Sequence, residues 1–278
     1  MLDFWQHIYS NFDPVAFNIF EVKIHWYGIM YVLALLSALH IAQWIIKKDN
    51  LNISKEVLNN YFIYVEIGII VGARLGYFIF YSTTPIYYFM HPWEMFNPFQ
   101  NGEFVGIRGM SYHGAMIGFV LSSLLFVHKY KISFLLLMDL VAVSIPLAYT
   151  FGRIGNFLNK ELIGRETDLP IGIYIDGVLR HPSQLYEAFL EGIVLFIIIY
   201  TYRKYKKNNG ELMVLYLFFY GLFRFMIEYI REPDKQLGFI CCGWMTMGQL
   251  LCIIMIIVSF ILYYLGYRKN KILILLRS

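Results

Sequence analysis

Long apolar stretches recur along the chain, separated by short polar or basic segments. Each stretch is continuously apolar rather than alternating, which predicts helices and not membrane strands. A helix needs about 20 apolar residues to cross a bilayer, where the backbone must satisfy its own hydrogen bonds. The predicted spans are Trp26–Ile46, Leu58–Tyr81, Tyr112–Val127, Phe134–Phe151, Leu185–Tyr202, Leu212–Ile230 and Met245–Leu265.

The composition excludes a water-soluble globule. The chain has 278 residues, of which 59% are hydrophobic and 15% are charged, whereas soluble domains carry about 25% charged residues. These proportions cannot supply the polar shell that a globule needs in water. We therefore predict an all-α integral membrane protein with seven transmembrane helices, folded as a single polytopic domain over residues 1–278.

The basic residues give the predicted orientation, because Lys and Arg accumulate in cytoplasmic connections. The segments after the first, third, fifth and seventh spans hold 13 of the 23 Lys and Arg residues. The N-terminus is then outside and the C-terminus cytoplasmic. The net charge of +4 follows from this distribution and the anionic inner leaflet, and we expect no nucleic acid partner. The 13 residues are Lys47, Lys48, Lys55, Lys129, Lys131, Arg203, Lys204, Lys206, Lys207, Arg268, Lys269, Lys271 and Arg277.

Two connections on the predicted outer side carry local signals. Residues 82–111 are rich in aromatic residues and contain three prolines, which indicates either an anchoring belt at the membrane interface or a substrate-binding arm. Residues 152–184 contain a run that alternates around Asp176–Gly177, which predicts a β-hairpin. At the end of this connection, Ser183 is expected to N-cap the fifth helix.

Ionisable residues inside a membrane are costly, and they mark either a functional site or a buried pair. The second span holds Glu66 and Arg74 on nearly one helical face. Its repeated GxxxG spacing permits another helix to pack closely. We expect a structural polar contact for Glu66, whereas a structural and a functional role are both open for Arg74. Asp139, in the fourth span, is left without a role.

The sixth span carries a polar stripe on an otherwise apolar helix. Tyr220, Arg224 and Glu228 are spaced i, i+4, i+8, and Arg231 follows three residues later. An arginine–glutamate pair alone could be structural. Together with a phenol, however, the stripe favours an anion site, since guanidinium groups bind phosphate in a bidentate manner.

A third feature is the segment GRIGNFLNKELIGRE at residues 152–166, where the fourth span is predicted to end. Gly152 and Gly155 permit close backbone approach, and Arg153 and Asn156 share one helical face. This composition is poor for a simple helix exit and suits the binding of a phosphate or glycerol headgroup. The segment also contains Asn159, Glu161, Gly164 and Arg165.

The predicted topology brings polar groups from four spans to the outer half of the membrane: Tyr27, His113, Arg153, Asn156 and Arg224. No metal motif, GxSxG or P-loop is present in the sequence. The groups available are arginines, which can hold a lipid phosphate, and His or Tyr, which can accept a proton. They suit displacement of a phosphate leaving group, with a nucleophile that arrives on a second substrate.

Five segments, in order along the chain, together resemble the prolipoprotein diacylglyceryl transferase family. The GRxGNFxNxExxGR block is the most specific of them, and the likeness runs from about residue 13 to about residue 267. The segments are HWYG (His25–Gly28), SYHG (Ser111–Gly114), GRIGNFLNKELIGR (Gly152–Arg165), RHPSQLYE (Arg180–Glu187) and YGLFRFMIEYIREPD (Tyr220–Asp234).

The resemblance implies a seven-helix enzyme of the bacterial plasma (inner) membrane, with its N-terminus outside and its active site toward the extracytoplasmic side. The implied partners are phosphatidylglycerol, preprolipoprotein signal peptides with a lipobox cysteine, and membrane lipids. The diacylglyceryl group moves to the cysteine thiol, which forms a thioether and releases glycerol phosphate. No cofactor and no metal are implied. A long extracytoplasmic insertion found in some members is absent, so the head is expected to be small.

The family's functional positions, carried over by resemblance, suggest the role of each residue. The predicted catalytic residues are His113 as the thiol base, Tyr27 as the second candidate base, and Arg153 and Arg224, which grip the phosphate. One departure is Ala115, where the family often has a second glycine, so that a methyl group crowds the backbone beside His113. The predicted substrate-binding residues are Asn156, Glu161, Gly164, Tyr220 and Glu228, to which Arg74 is added from its place in the second span.

A lipid transporter or scramblase is the alternative function, because it too uses polar residues at membrane depth. Transporters usually hold their site at the midplane between repeated halves. This sequence has no visible repeat, and its predicted site lies off-centre. The sequence therefore favours a transferase.

Overall fold

The computed structural model describes residues 2–19, 22–82, 84–100, 103–104, 109–233, 238–241 and 243–275. Its backbone contacts divide the chain into two compact units. The first unit comprises Met1–Ile45 and Leu135–Ser278, and the second comprises Ile46–Phe134. The prediction of a single domain over residues 1–278 stays a prediction.

The described chain is mostly helical. A short helix α1 (Leu2–Gln6) precedes α2 (Trp26–Lys48), and α3 (Lys55–Tyr81) is followed by the short α4 (Pro85–Met90). The remaining helices are α5 (Tyr112–Tyr130), α6 (Phe134–Leu158), α7 (Ser183–Glu187), α8 (Leu195–Tyr202), α9 (Glu211–Ile227) and α10 (Met247–Leu275). Every predicted apolar stretch therefore contains a helix, which confirms the helical interpretation of the pattern.

Among the described residues, five helical segments are long and apolar enough to cross a membrane. The chain thus has the character of an all-α membrane protein, while the number of seven spans and their orientation stay predictions. The five segments are Trp26–Lys48, Lys55–Ile79, Phe134–Leu158, Ser183–Tyr202 and Met247–Gly266.

The fifth predicted span is helical throughout, but its middle is not an α-helix. A π-helical segment, Ala188–Val194, joins α7 to α8. Such wide turns are rare and occur often at functional sites. This one begins directly after Glu187 and contains Glu191, which are both fully buried.

Short antiparallel hairpins connect the helices in the described chain. β1 (Val15–Ile19) pairs with β2 (Val22–His25), and β3 (Phe99–Gln100) pairs with β4 (Glu103–Phe104). β5 (Ile173–Ile175) pairs with β6 (Val178–Arg180), and β7 (Phe239–Cys241) pairs with β8 (Met245–Thr246). The β5–β6 turn has positive φ at Asp176 (51°) and Gly177 (81°), as a two-residue hairpin turn requires. The predicted hairpin is confirmed.

In the second unit, α3 and α5 pack along a seam of glycines. A Cβ atom on Gly76 would lie 2.7 Å from Cα of Gly114, so the two helix backbones are in direct contact. Gly68 and Gly72 face α5 in the same way, which confirms the close packing predicted from the GxxxG spacing. Ser111 accepts a hydrogen bond from the Gly114 amide at 3.2 Å and thereby caps α5.

The aromatic connection after α3 is described only in part, because residues 83, 101–102 and 105–108 lie outside the described residues. Within the described part, large apolar side chains on α4 and the following turn are exposed, among them Met90 and Trp93. The choice between an anchoring belt and a substrate arm stays open.

Candidate active site

A single buried carboxylate joins three arginines in the first unit. Glu187 has a fully buried side chain, and its Oε2 atom lies 2.8 Å from Nε of Arg153 and 3.0 Å from Nη1 of Arg224. Its Oε1 atom accepts a hydrogen bond from Nη1 of Arg231 at 3.0 Å. Burial of a carboxylate is costly without charged partners, and here three guanidinium groups supply them. Arg153, Arg224, Arg231 and Glu187 are called the arginine cluster below.

Three helical elements position the arginine cluster. Arg153 lies on α6, Arg224 lies on α9, and Arg231 lies four residues after the end of α9. Glu187 is the last residue of α7, where the π-helical segment begins. The cluster is thus assembled from separate parts of the sequence.

Glu228 extends the cluster toward α10. Its Oε2 atom lies 2.7 Å from Nη2 of Arg224, and its Oε1 atom accepts a hydrogen bond from the Thr246 hydroxyl at 3.0 Å. A Cβ atom on Gly248 would lie 2.6 Å from Oε1 of Glu228. The absence of a side chain at Gly248 therefore leaves room for the carboxylate. Arg224 contacts two carboxylates at once, one through each terminal nitrogen.

On the other side of the cluster, polar contacts continue to Glu161. Nη1 of Arg153 donates to Oδ1 of Asn156 at 3.2 Å, and Nδ2 of Asn156 donates to Oε1 of Glu161 at 2.7 Å. The ring of Tyr27 packs on the same turn of α6, because a Cβ atom on Gly155 would lie 3.3 Å from its Cδ2 atom. The structure therefore brings these four predicted site residues together.

Tyrosines cover the buried face of the arginine cluster. The Tyr149 hydroxyl donates to Oε2 of Glu187 at 3.2 Å and also to Glu191. The guanidinium carbon of Arg153 lies 4.7 Å from the centroid of the Tyr149 ring, which is a cation–π distance. Tyr220 meets Tyr149 edge to face at 5.8 Å between ring centroids. The predicted residue Tyr220 thus contacts the cluster through Tyr149.

The segment at Gly164 and Arg165 forms hydrogen bonds to the residues just before α7 and just after α9. The Gly164 amide donates to the His181 carbonyl at 3.1 Å, and the Arg165 amide donates to the Ile230 carbonyl at 2.8 Å. Nε of Arg165 also donates to the Arg231 carbonyl at 2.9 Å. Burial lowers the pKa of His181, which favours its neutral imidazole. The backbone that carries Arg231 is therefore fixed by these hydrogen bonds.

Gly164→Ala is expected to lower activity strongly while the helices remain intact. A Cβ atom on Gly164 would lie 2.5 Å from the His181 carbonyl oxygen and 2.9 Å from that of Ile230, so the segment must move away and take Arg231 with it. We expect kcat to fall by about 100-fold, since displacement of site groups by about 1 Å can have that effect. Gly266→Ala, at an exposed position of α10, is the control because no heavy atom of the described residues lies within 4 Å of its Cβ position. Normal turnover by the Gly164 variant would contradict this.

The other two predicted residues belong to the second unit. His113 is exposed in the first turn of α5, 6.0 Å from Tyr112 between ring centroids. Arg74 is buried on α3, and its guanidinium donates to the backbone carbonyls of Met95 and, at 3.0 Å, of Gly109. Both contacts hold the connection after α3. The roles predicted for His113 and Arg74 stay predictions.

Three local expectations are wrong. The fourth helix continues to Leu158 rather than ending near Phe151, because Arg153 and Asn156 turn their polar groups toward the interior. Ser183 does not cap α7: it is the first helical residue, and its hydroxyl donates to the Leu162 carbonyl at 3.1 Å. Among the described residues, no atom lies within 4 Å of the Cβ position of Gly152, so of these two glycines Gly155 is the one that a neighbour approaches closely.

Sequence reasoning missed four residues of the site. The sequence marks Glu187 only as part of the RHPSQLYE segment, and it marks Arg231 only as the end of the polar stripe on the sixth span. Glu187 and Glu191 are four residues apart on an apolar span, which is the same signal that identified Arg224 and Glu228. No comparable signal marks Tyr149, an aromatic residue in an apolar helix. The missed residues are Tyr149, Glu187, Glu191 and Arg231.

The exposure of the cluster decides what it can bind. The Glu187 side chain is 0% exposed, whereas the side chains of Arg153, Arg224 and Arg231 are 16%, 15% and 12% exposed. The carboxylate is therefore closed off from its surroundings, whereas each arginine side chain keeps a small accessible surface. An arginine edge fixed in this way is suited to a phosphate. Within the described ranges, no three His, Cys, Asp or Glu side chains are grouped so as to hold a metal ion.

The apolar helices and this cluster define an integral membrane protein with a buried arginine–carboxylate site. A sequence model of the prolipoprotein diacylglyceryl transferase family matches residues 14–265. The chain belongs to this family.

Similar proteins named phosphatidylglycerol–prolipoprotein diacylglyceryl transferase occur in several Campylobacter species. The protein of Campylobacter jejuni strain 81-176 is 59% identical over 262 residues, which cover 94% of this chain and 96% of the relative. The Campylobacter lari protein is 57% identical over 271 residues, which cover 97% of this chain and 100% of the relative. The Campylobacter hominis protein is 58% identical over 262 residues, 94% of each chain.

Proposed function

We propose that this chain transfers the diacylglyceryl group of phosphatidylglycerol to the thiol of a prolipoprotein cysteine. The products are a thioether-linked lipoprotein precursor and glycerol phosphate, and the reaction is the first step of lipoprotein lipidation. Membership of the family supports the reaction. The observation that carries the assignment to this site is the arginine cluster, in which one buried carboxylate holds three partly exposed guanidinium groups.

The phosphate of phosphatidylglycerol binds the exposed edges of Arg153 and Arg224. Glu187 holds both arginines through the same carboxylate oxygen, which supports their binding one phosphate together. Asn156 and Tyr27, which lie beside Arg153, orient the glycerol headgroup. Further predicted contacts to the substrate come from Glu161, Gly164, Tyr220, Glu228 and Arg74.

The reaction is a displacement at carbon. The lipobox cysteine loses its proton to a base, for which His113 is the first candidate and Tyr27 the second. The sulfur then attacks the glyceryl carbon of the diacylglyceryl group, and the carbon–oxygen bond to phosphate breaks. The electron pair of that bond stays on the phosphate oxygen, where negative charge develops and the guanidinium groups stabilise it.

The proposed setting is the bacterial inner membrane. In this arrangement seven helices cross the bilayer, with the N-terminus outside, the C-terminus cytoplasmic and a small extracytoplasmic head. The distribution of Lys and Arg along the sequence supports this orientation. The site then opens to the extracytoplasmic side, where it meets phosphatidylglycerol among other membrane lipids and the lipobox at the end of a signal peptide.

The proposed reaction is tested by incubating the purified protein with phosphatidylglycerol and a synthetic lipobox peptide. We expect a mass gain of one diacylglyceryl group on the peptide cysteine, together with release of glycerol phosphate. A peptide in which serine replaces the cysteine is the control and should remain unmodified. Movement of phosphatidylglycerol across liposomes without any adduct would overturn the proposal.

His113→Gln tests the thiol base. A glutamine amide cannot take a proton from the thiol, so the variant lacks the proposed base. We expect it to be slower by about 100-fold or more, with a pH–rate profile that differs from that of the wild type. His128→Gln, at the other end of α5, is the matched control. An unchanged profile in the His113 variant would assign the base elsewhere.

A further inference from the structure

In the first unit, the buried carboxylate of Asp139 links α6, near its N-terminal end, to the N-terminal end of α9. Its Oδ1 atom accepts hydrogen bonds from the amides of Leu212 at 2.9 Å and Met213 at 3.1 Å. Its Oδ2 atom accepts from the Gly210 amide at 2.8 Å and from Nζ of Lys206 at 3.0 Å. Asp139 lies on α6, whereas its three amide donors lie at the start of α9.

Asp139 caps the N-terminus of α9, a role that the N-cap residue of a helix usually has. The first amides of a helix have no partner within the helix and carry partial positive charge, so a carboxylate there is strongly favoured. The N-cap residue of α9 is Gly210, which has no side chain with which to accept them. The cap is instead supplied by a neighbouring helix, and this fixes the start of α9 to one position along α6.

The same two helices carry the phosphate-binding arginines at their other ends. Arg153 lies 14 residues beyond Asp139 on α6, about 21 Å along the helix axis. Arg224 lies 12 residues beyond Leu212 on α9, about 18 Å along that axis. The helices therefore run in the same direction and are linked twice, by Asp139 near their starts and, through their arginines, by Glu187 of α7 near their ends.

We propose that Asp139 is a positioning residue for the transferase reaction, which sets the register of α6 against α9 and so the spacing of Arg153 and Arg224 around Glu187. This inference rests on the proposed function of the arginine cluster. The two arginines are held by atoms of a single carboxylate, so a slide of one helix by a fraction of a turn separates them. Asp139 acts on the reaction through this spacing and does not touch the substrate.

Asp139→Asn tests the proposal, because the amide keeps the shape of the side chain but offers one acceptor oxygen to four donors. We expect the purified variant to unfold cooperatively and to keep its KM for phosphatidylglycerol within about threefold, while kcat falls by about tenfold or more. Loss of a purely structural cap would lower stability and yield, yet leave kcat per folded molecule unchanged. A folded variant with the wild-type kcat would overturn the proposal.

Glu211→Gln is the matched control at the same end of α9. Its exposed carboxylate accepts hydrogen bonds from the amides of Lys207 and Asn208 at 3.0 Å each, which lie in the loop before α9 and not on α6. We expect its kcat to stay within about twofold of wild type. A fall in kcat equal to that of the Asp139 variant would overturn the proposal, because any weakening of the start of α9 would then suffice.

Asp139→Glu provides the second test if the asparagine variant does not fold. It keeps the charge and all acceptors but lengthens the side chain by one methylene, so it changes the spacing of the helices rather than the cap. We expect kcat to fall by about fivefold or more at near-normal thermal stability. Failure of both variants to fold would overturn the proposal, since Asp139 would then serve folding. If the wild-type protein itself forms no thioether, the proposed transferase function is wrong, which is a different result from a failure of the role proposed for Asp139.

Discussion

Glu187→Gln is expected to reduce thioether formation by about 100-fold to 1,000-fold, the range found when one charge-stabilising group is lost from an active site. The glutamine has the shape of the glutamate but no charge. Arg153, Arg224 and Arg231 would then repel one another without the carboxylate between them. Breaking a buried ion pair also destabilises a protein by about 3–5 kcal/mol. We expect kcat to carry most of the loss, measured with phosphatidylglycerol and a lipobox peptide.

Glu191→Gln is the control that separates this effect from the loss of any buried carboxylate. Glu191 lies four residues after Glu187 and is equally buried, at 0% exposure. It accepts a hydrogen bond from the Tyr149 hydroxyl, and a glutamine oxygen can still accept that bond. We expect a loss of activity no greater than about fivefold. Equal losses in the two variants would show that Glu187 has no special place in the site.

The helices could be predicted from the sequence because the membrane leaves few alternatives. Backbone groups in hydrocarbon must be paired, so a continuous apolar run becomes a helix. The starts of three helices, at Trp26, Tyr112 and Phe134, agree with the prediction to the residue. Local signals also sufficed for the hairpin at Asp176–Gly177, since a turn with positive φ at two residues favours that dipeptide.

The end of α6 could not be predicted, because hydropathy treats every polar residue as facing water. On hydropathy alone, the polar residues from Arg153 to Asn156 predict the point where the helix leaves the membrane. Their partners, Glu187 and Glu161, come from elsewhere in the chain, and these contacts let the helix continue to Leu158. The π-helical segment after Glu187 could not be predicted either, because its sequence, AFLEGIV, does not distinguish a π-helix from an α-helix.

Two of the four residues of the arginine cluster could be predicted as site residues from the sequence, and the other two could not, for a physical reason. Arg153 and Arg224 stand out because an arginine in an apolar span needs an explanation. Spacing alone, however, pairs Arg224 with Glu228 on its own helix. The structure shows that Glu228 is one of two partners, and that Glu187 links α6, α9 and α7. A residue whose partners lie on three elements is recognised only once those elements are packed together.

Arg224→Ala is expected to abolish most transfer, by about 1,000-fold, because Arg224 is the one arginine of the cluster that contacts both Glu187 and Glu228. Its removal breaks the ion pairs of Arg224 with Glu228 and with Glu187. Arg224→Lys keeps the positive charge but removes the planar guanidinium fork. An ammonium group cannot hold two carboxylates and a phosphate in the same plane. We therefore expect lysine to recover no more than about a tenth of the wild-type kcat.

Arg180→Lys is the matched control for the change from a fork to a single ammonium group. Arg180 also lies between two carboxylates, with Glu232 at 3.3 Å and Glu166 at 3.6 Å, but those partners are exposed and solvated. Exposed pairs contribute little, so we expect activity within about threefold of wild type. Full activity of Arg224→Lys would mean that charge alone serves at this position. The phosphate would then be held by Arg153 and Arg231, and the fork of Arg224 would serve only to hold Glu228 in place.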